Sequence, residues 1–98
     1  GTLFEAFVAR GLFEDYLKLL DKYKLTHVEI SDGSLDMSEE EKCEYINKVS
    51  KNFTVLSEVG SKDAEKIIPP YKWIQMMKSE IEAGAWKVIA EARESGNV

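Results

Sequence analysis

One cysteine, Cys43, stands in the whole chain, so no intrachain disulfide can form, and with no secretory signal pattern in view a reducing compartment is expected, the cytoplasm by default. Apolar runs are short, far from the roughly 20 residues that cross a bilayer as a helix, so no membrane partner is expected. Positive charge never gathers into more than two or three residues, and the net charge is -5. That balance argues against a nucleic-acid partner. There is no Gly-rich phosphate loop, no paired Cys/His metal motif and no serine nucleophile motif. The one histidine, His27, opens an apolar run and reads as a packing or surface residue.

What is present is a foldable chain of 98 residues, room for one domain and not two. At 44% hydrophobic and 32% charged it is far from the disordered profile, so a packed core is expected. It begins at Gly1 without an initiator Met, which reads as an excised or processed piece.

Phe13, Tyr16, Leu17, Leu20 and Tyr23 recur at helical spacing, after a shorter stretch at Phe4, Phe7 and Val8 that Gly11 interrupts. The pattern predicts a helix to about Lys24. THVEIS, residues 26 to 31, then reads as a strand ending at the turn signal Asp32-Gly33. Ser38 and Glu41 form an S-x-x-E capping box, and a second helix is expected to run to about Lys51 with Cys43, Ile46 and Val49 on one face. FTVLSE, residues 53 to 58, is the second strand. Pro69 and Pro70 open a third helix, with Tyr71, Ile74, Met77 and Ile81 on one face and Gly84 as its stop. WKVIAEA, residues 86 to 92, is the third strand. Cys43 on a helix face, and Trp73, Trp86, Met76 and Met77, read as core residues with no chemistry assigned.

Alternating helices and strands imply an α/β chain with parallel strands. Glu29, Glu58 and Glu91 fall near the ends of the three strands, spaced by 29 and 33 residues, the length of one βα unit. Parallel strands are ordinarily apolar throughout, so a carboxylate at each end stands out. Strand C-terminal ends are also where α/β folds place their sites. Glu29 with Asp32, Glu58 with Lys62, and Glu91 with Arg93 and Glu94 would gather at one rim, able to hold a divalent cation and an anionic substrate. A structural ring of ion pairs would use the same residues. Spacing alone assigns no reaction.

GTLFE at 1 to 5, VEISDG at 28 to 33, VLSEVGSKD at 55 to 63 and AGAWKVIAEARESG at 83 to 96 together resemble the phosphosulfolactate synthase family. The resemblance covers nearly the whole chain, in the family's order and spacing. It implies a parallel (β/α)8 TIM-type barrel, of which residues 1–98 would be a single partial segment running from the end of strand three to strand six. It further implies a carbon–sulfur bond-forming lyase that adds sulfite to phosphoenolpyruvate with magnesium, a step that opens coenzyme M biosynthesis in methanogens. Lys62 then matches the general acid. The other roles follow from side-chain chemistry and not from the resemblance: Arg93, Ser95 and Thr2 are candidate substrate contacts, and Glu29, Glu58 and Glu91 candidate ligands for the metal and its waters. A homo-oligomer is expected. The other reading is a non-catalytic barrel homologue with a structural, stress-related or anion-binding role. Because a barrel needs eight strands, the chain alone is expected to be inactive.

Overall fold

The computed structural model describes residues 3–32, 35–60 and 68–90. Seven elements follow one another: α1 (Leu3–Ala9), α2 (Phe13–Lys22), β1 (His27–Ile30), α3 (Glu39–Ser50), β2 (Thr54–Val59), α4 (Pro70–Ala83) and β3 (Lys87–Ala90). The strands form one parallel sheet in the order β1-β2-β3. The expected α/β class and parallel pairing are both present. Strand edges differ by a residue or so: β1 is shorter than residues 26 to 31 at each end, and β2 continues to Val59.

Local chemistry accounts for most boundaries. Gly11 adopts a positive φ of 71°, which separates α1 from α2, so the first helical stretch is two helices and not one running to Lys24. Lys24 is itself left-handed at φ 53°, and the Leu25 amide reaches back to the Leu20 carbonyl at 3.0 Å, closing α2 before β1. At the start of α3 the capping box is complete. The Glu41 amide donates to Ser38 Oγ at 3.1 Å and the Ser38 amide donates to Glu41 Oε1 at 3.3 Å. Pro70 takes the first position of α4, where its missing N–H costs nothing. Gly84 ends α4 at φ 129°, and a Cβ there would sit 2.8 Å from Ser50 Cβ. Glycine is thus required twice over, by its backbone angle and by the close approach of α3.

Burial along the strands alternates. Val28, Ile30, Val55, Ser57 and Val59 are buried on the face that the helices cover. The other alternates, among them His27, Glu29, Leu56, Glu58, Lys87 and Ile89, form the more exposed face. Ile46 and Val49 of α3 lie at the centre of the core, flanked by an aromatic group in which Phe13 and Tyr45 rings meet at 4.7 Å and Phe4 and Tyr45 at 5.4 Å.

Two expectations need correcting. Trp86 is 55% exposed, its ring edge to His27, and so is not core. The apolar stripe of α4 points outward: Tyr71, Ile74 and Ile81 are exposed, while Glu80 is the buried residue of that helix. The physical reason is that β3 is the last strand of the described sheet, with no further element beside it to cover that stripe. No helix among the described residues is long and apolar enough to cross a membrane.

Candidate functional site at the strand ends

The register pairs Glu29 with Leu56 and Glu58 with Ile89. Glu29 and Glu58 therefore share the open face, one strand apart and two residues apart in level, a diagonal of roughly 7–8 Å between backbones in a sheet. Both lie in the C-terminal halves of their strands. Because Glu29 is exposed, its carboxylate carries no heavy burial penalty there, contrary to the expectation from an all-covered parallel sheet. Its charge is still felt: burial first, then Glu29, push the Tyr16 phenol up to about 12. Glu91, Lys62, Arg93, Glu94, Ser95 and Thr2 lie outside the described residues.

Asp32 does not join Glu29. It turns to the helix-covered side, where Lys42 of α3 meets it with Nζ 3.3 Å from Oδ1. The same ammonium lies 3.2 Å from Glu80 Oε2 of α4 and donates to the Glu58 carbonyl oxygen at the end of β2. Lys42 is 1% exposed and Glu80 0%. The ammonium thus lies among three groups, one each from the exit of β1, the end of β2, and α4, of which the Glu58 carbonyl is a hydrogen-bond acceptor and the two carboxylates are ion-pair partners.

Negative charge outnumbers positive in this cluster, and the acids respond. Burial raises the Asp32 carboxyl above its ordinary value, outweighing the lowering effect of Lys42, and Glu80 raises it further. Glu39, one turn before Cys43, is pushed up to about 8, by burial first and then by the Glu80 carboxylate. Both effects favour the protonated form of Glu39. Burial and the neighbouring Glu39 push the Cys43 thiol up to about 11, with Sγ 3.7 Å from Glu39 Oε2. That thiol is a poor nucleophile, in keeping with the absence of assigned chemistry.

A second buried contact ties two of the quoted motifs together. The Ser31 hydroxyl, in VEISDG, donates to the Glu5 carboxylate, the last residue of GTLFE, and both side chains are buried. Glu5, Ser31, Lys42 and Glu80 are absent from the sequence-derived candidates. A signal did exist for Lys42: it lies four and seven residues before Ile46 and Val49, which makes it a charge inside an apolar stripe.

Among the described residues no group of three or more His, Cys, Asp or Glu side chains converges as a metal site. Glu29 and Glu58 offer two carboxylates from one face, which is the number a protein commonly supplies to magnesium when substrate oxygens and water complete the octahedron.

A sequential parallel sheet with carboxylates near the carboxyl ends of two of its strands, beside a buried ion cluster, defines an α/β chain whose acidic side chains lie at the sheet edge where such folds commonly bind ligands. The sequence profile of the family described as (2R)-phospho-3-sulfolactate synthase (ComA) matches residues 1–98. The phosphosulfolactate synthase of Bacillus subtilis (strain 168) is 44% identical over 98 residues, covering 98% of this chain and 39% of that protein. Those of Methanocaldococcus jannaschii and Methanothermobacter thermautotrophicus are 42% and 38% identical over 99 residues, again across 98% of this chain. This chain belongs to the phosphosulfolactate synthase family. It spans about two fifths of the length of these relatives.

Proposed function

We propose that these residues form three consecutive βα units, strands four to six, of a (β/α)8 barrel whose whole protein adds sulfite to phosphoenolpyruvate to give phosphosulfolactate. The observation that carries this reading is the placement of Glu29 and Glu58 on the open face near the strand ends, in a chain of this family. In a barrel that face is the interior, and its C-terminal end is where sites are built.

The chemistry needs few groups. The sulfur lone pair of sulfite attacks the methylene carbon of phosphoenolpyruvate, the π electrons shift toward the adjacent carbon and its carboxylate, and that adjacent carbon then takes a proton. Lys62, in EVGSKD, is the proton donor in this reading; a lysine partly withdrawn from water and near positive charge loses its proton more readily. Arg93 grips phosphate or sulfonate through its planar fork, with Ser95 and Thr2 as further hydrogen-bond partners. Glu29 and Glu58, with Glu91, would hold magnesium. When bound, the ion supplies positive charge that stabilises the enolate-like charge on the substrate carboxylate.

The test is made on the whole protein, with product followed by phosphorus NMR. Lys62→Ala should lower turnover by about 10²-fold or more, the usual worth of a positioned acid. Glu58→Gln should instead raise the magnesium concentration needed for half-maximal rate. Unchanged turnover in Lys62→Ala would remove the general-acid role. A wild-type protein that binds phosphoenolpyruvate and never consumes it would favour the non-catalytic homologue.

A further inference from the structure

We infer that Lys42 is a positioning residue for the candidate site, holding the end of β2 in place through the Glu58 carbonyl; this rests on the reading that Glu58 belongs to that site. The problem Lys42 poses is its location. At 1% exposure on the core face of α3, in line with Ile46 and Val49, it occupies a position where a leucine or methionine would pack well. Replacing a buried ion pair by apolar side chains of similar volume is often neutral or stabilising, so stability alone gives a weak reason for a lysine here.

Its contacts supply a better one. Asp32 at 3.3 Å belongs to VEISDG, Glu58 belongs to EVGSKD, and Glu80 at 3.2 Å ties α4 to both. One ammonium therefore joins the exits of two adjacent strands, and the carbonyl it holds belongs to the same residue whose carboxylate faces the open side. A leucine could fill the volume and would hold none of the three. A main chain fixed at Glu58 fixes the direction in which the Glu58 side chain leaves the sheet, and it sets the starting point of the segment that leads to Lys62. Lys42 touches no reacting atom in this scheme. It acts through Glu58.

The experiment compares Lys42→Arg, Lys42→Met and the double variant Lys42→Met with Glu80→Gln in the whole protein. The single Met variant leaves buried carboxylates without their cation and could fail to fold. The double variant removes one of those charges and keeps the proposal testable. Two quantities are read: amide hydrogen exchange at Val59 and Gly60, with Tyr16 and Leu20 of α2, which Lys42 does not contact, as internal reference, and kcat and KM for sulfite addition. In the double variant, exchange at Val59 and Gly60 should rise about tenfold or more while the α2 amides stay as they were. Turnover should fall about 10- to 100-fold, the range seen when groups that orient a ligand are lost, with KM changed less than about twofold. Lys42→Arg should restore both. Wild-type exchange at the β2 exit in the double variant would overturn the anchor, and loosened exchange with undiminished turnover would overturn the positioning role. Loosened exchange in a protein whose wild type shows no sulfite addition would leave the anchor standing and sink the functional reading instead.

Discussion

The two ends of the sheet are finished to different degrees. Around β1 and β2, Val28, Ile30 and Val55 are buried together with Ile46 and Val49 of α3 and the aromatic group of Phe4, Phe13 and Tyr45. Around α4 and β3, Ile81 is 48% exposed, Ile89 46% and Trp86 55%, and Met77, Ile81 and Val88 line a shallow apolar groove. Residues of the same chemical type thus serve as core at one end and surface at the other. What separates them is the number of elements packed alongside, which teaches that stability in this chain is concentrated on α3.

The comparison is broken most directly at its strong end. Ile46→Ala should cost about 2–5 kcal/mol, the range for a large-to-small change in a packed core, whereas Ile81→Ala should cost less than about 1 kcal/mol. Urea denaturation of the 98-residue chain measures both, and equal losses would erase the contrast. At the weak end, the exposed apolar surface should draw two copies of the chain together. Sedimentation equilibrium should show self-association that Ile81→Ser, Trp86→Ser and Ile89→Ser in combination weaken tenfold or more, about 1.4 kcal/mol. Unaltered association would place the contact elsewhere.

The smallest effect probes the buried cluster between the two ends. With its value raised to about 8, folded Glu39 keeps a proton that the unfolded chain releases near 4.5. The folded state then binds more protons between those limits, so stability falls as pH rises from about 4.5 to about 8 and is level above that. With the side chain only half-buried, the drop should be about 1 kcal/mol, and Glu39→Gln should flatten it in melts taken across that window.

Much of the fold was legible because its determinants are local. The capping box at Ser38 and Glu41, the helix start at Pro70 and the stop at Gly84 each depend on a few adjacent residues, and α3 begins, and α4 begins and ends, there. The three strands were recognisable by their β-branched content and flanking turns, to within a residue or so where described. Lys42 and Glu80 escaped because a charged residue on a helix ordinarily faces water; only the meeting of α3, α4 and two strand exits withdraws this pair from it. The outward stripe of Tyr71, Ile74 and Ile81 was visible as a stripe, but periodicity states that a face wants covering and says nothing of what covers it. Glu29 and Glu58 were placed by spacing near the strand ends, and the register puts them on one face. Asp32 was grouped with Glu29 by proximity along the chain, and the turn after β1 carries it to the opposite side.

The order β1-β2-β3 also bears on how the chain acquires its shape. Among the described residues each strand pairs with its neighbour in sequence, with α3 between β1 and β2 packed on β2, and α4 between β2 and β3 packed on both. No strand has to wait for a distant segment before it finds a partner. On a ribosome, where residues emerge at about 5–20 per second, the sheet can lengthen one βα unit at a time as the polypeptide is made. Most of the loop-closure entropy is then met in short instalments. The growing edge is the exposed flank at every stage, so the interval before the next unit arrives is when this polypeptide is most open to wrong partners.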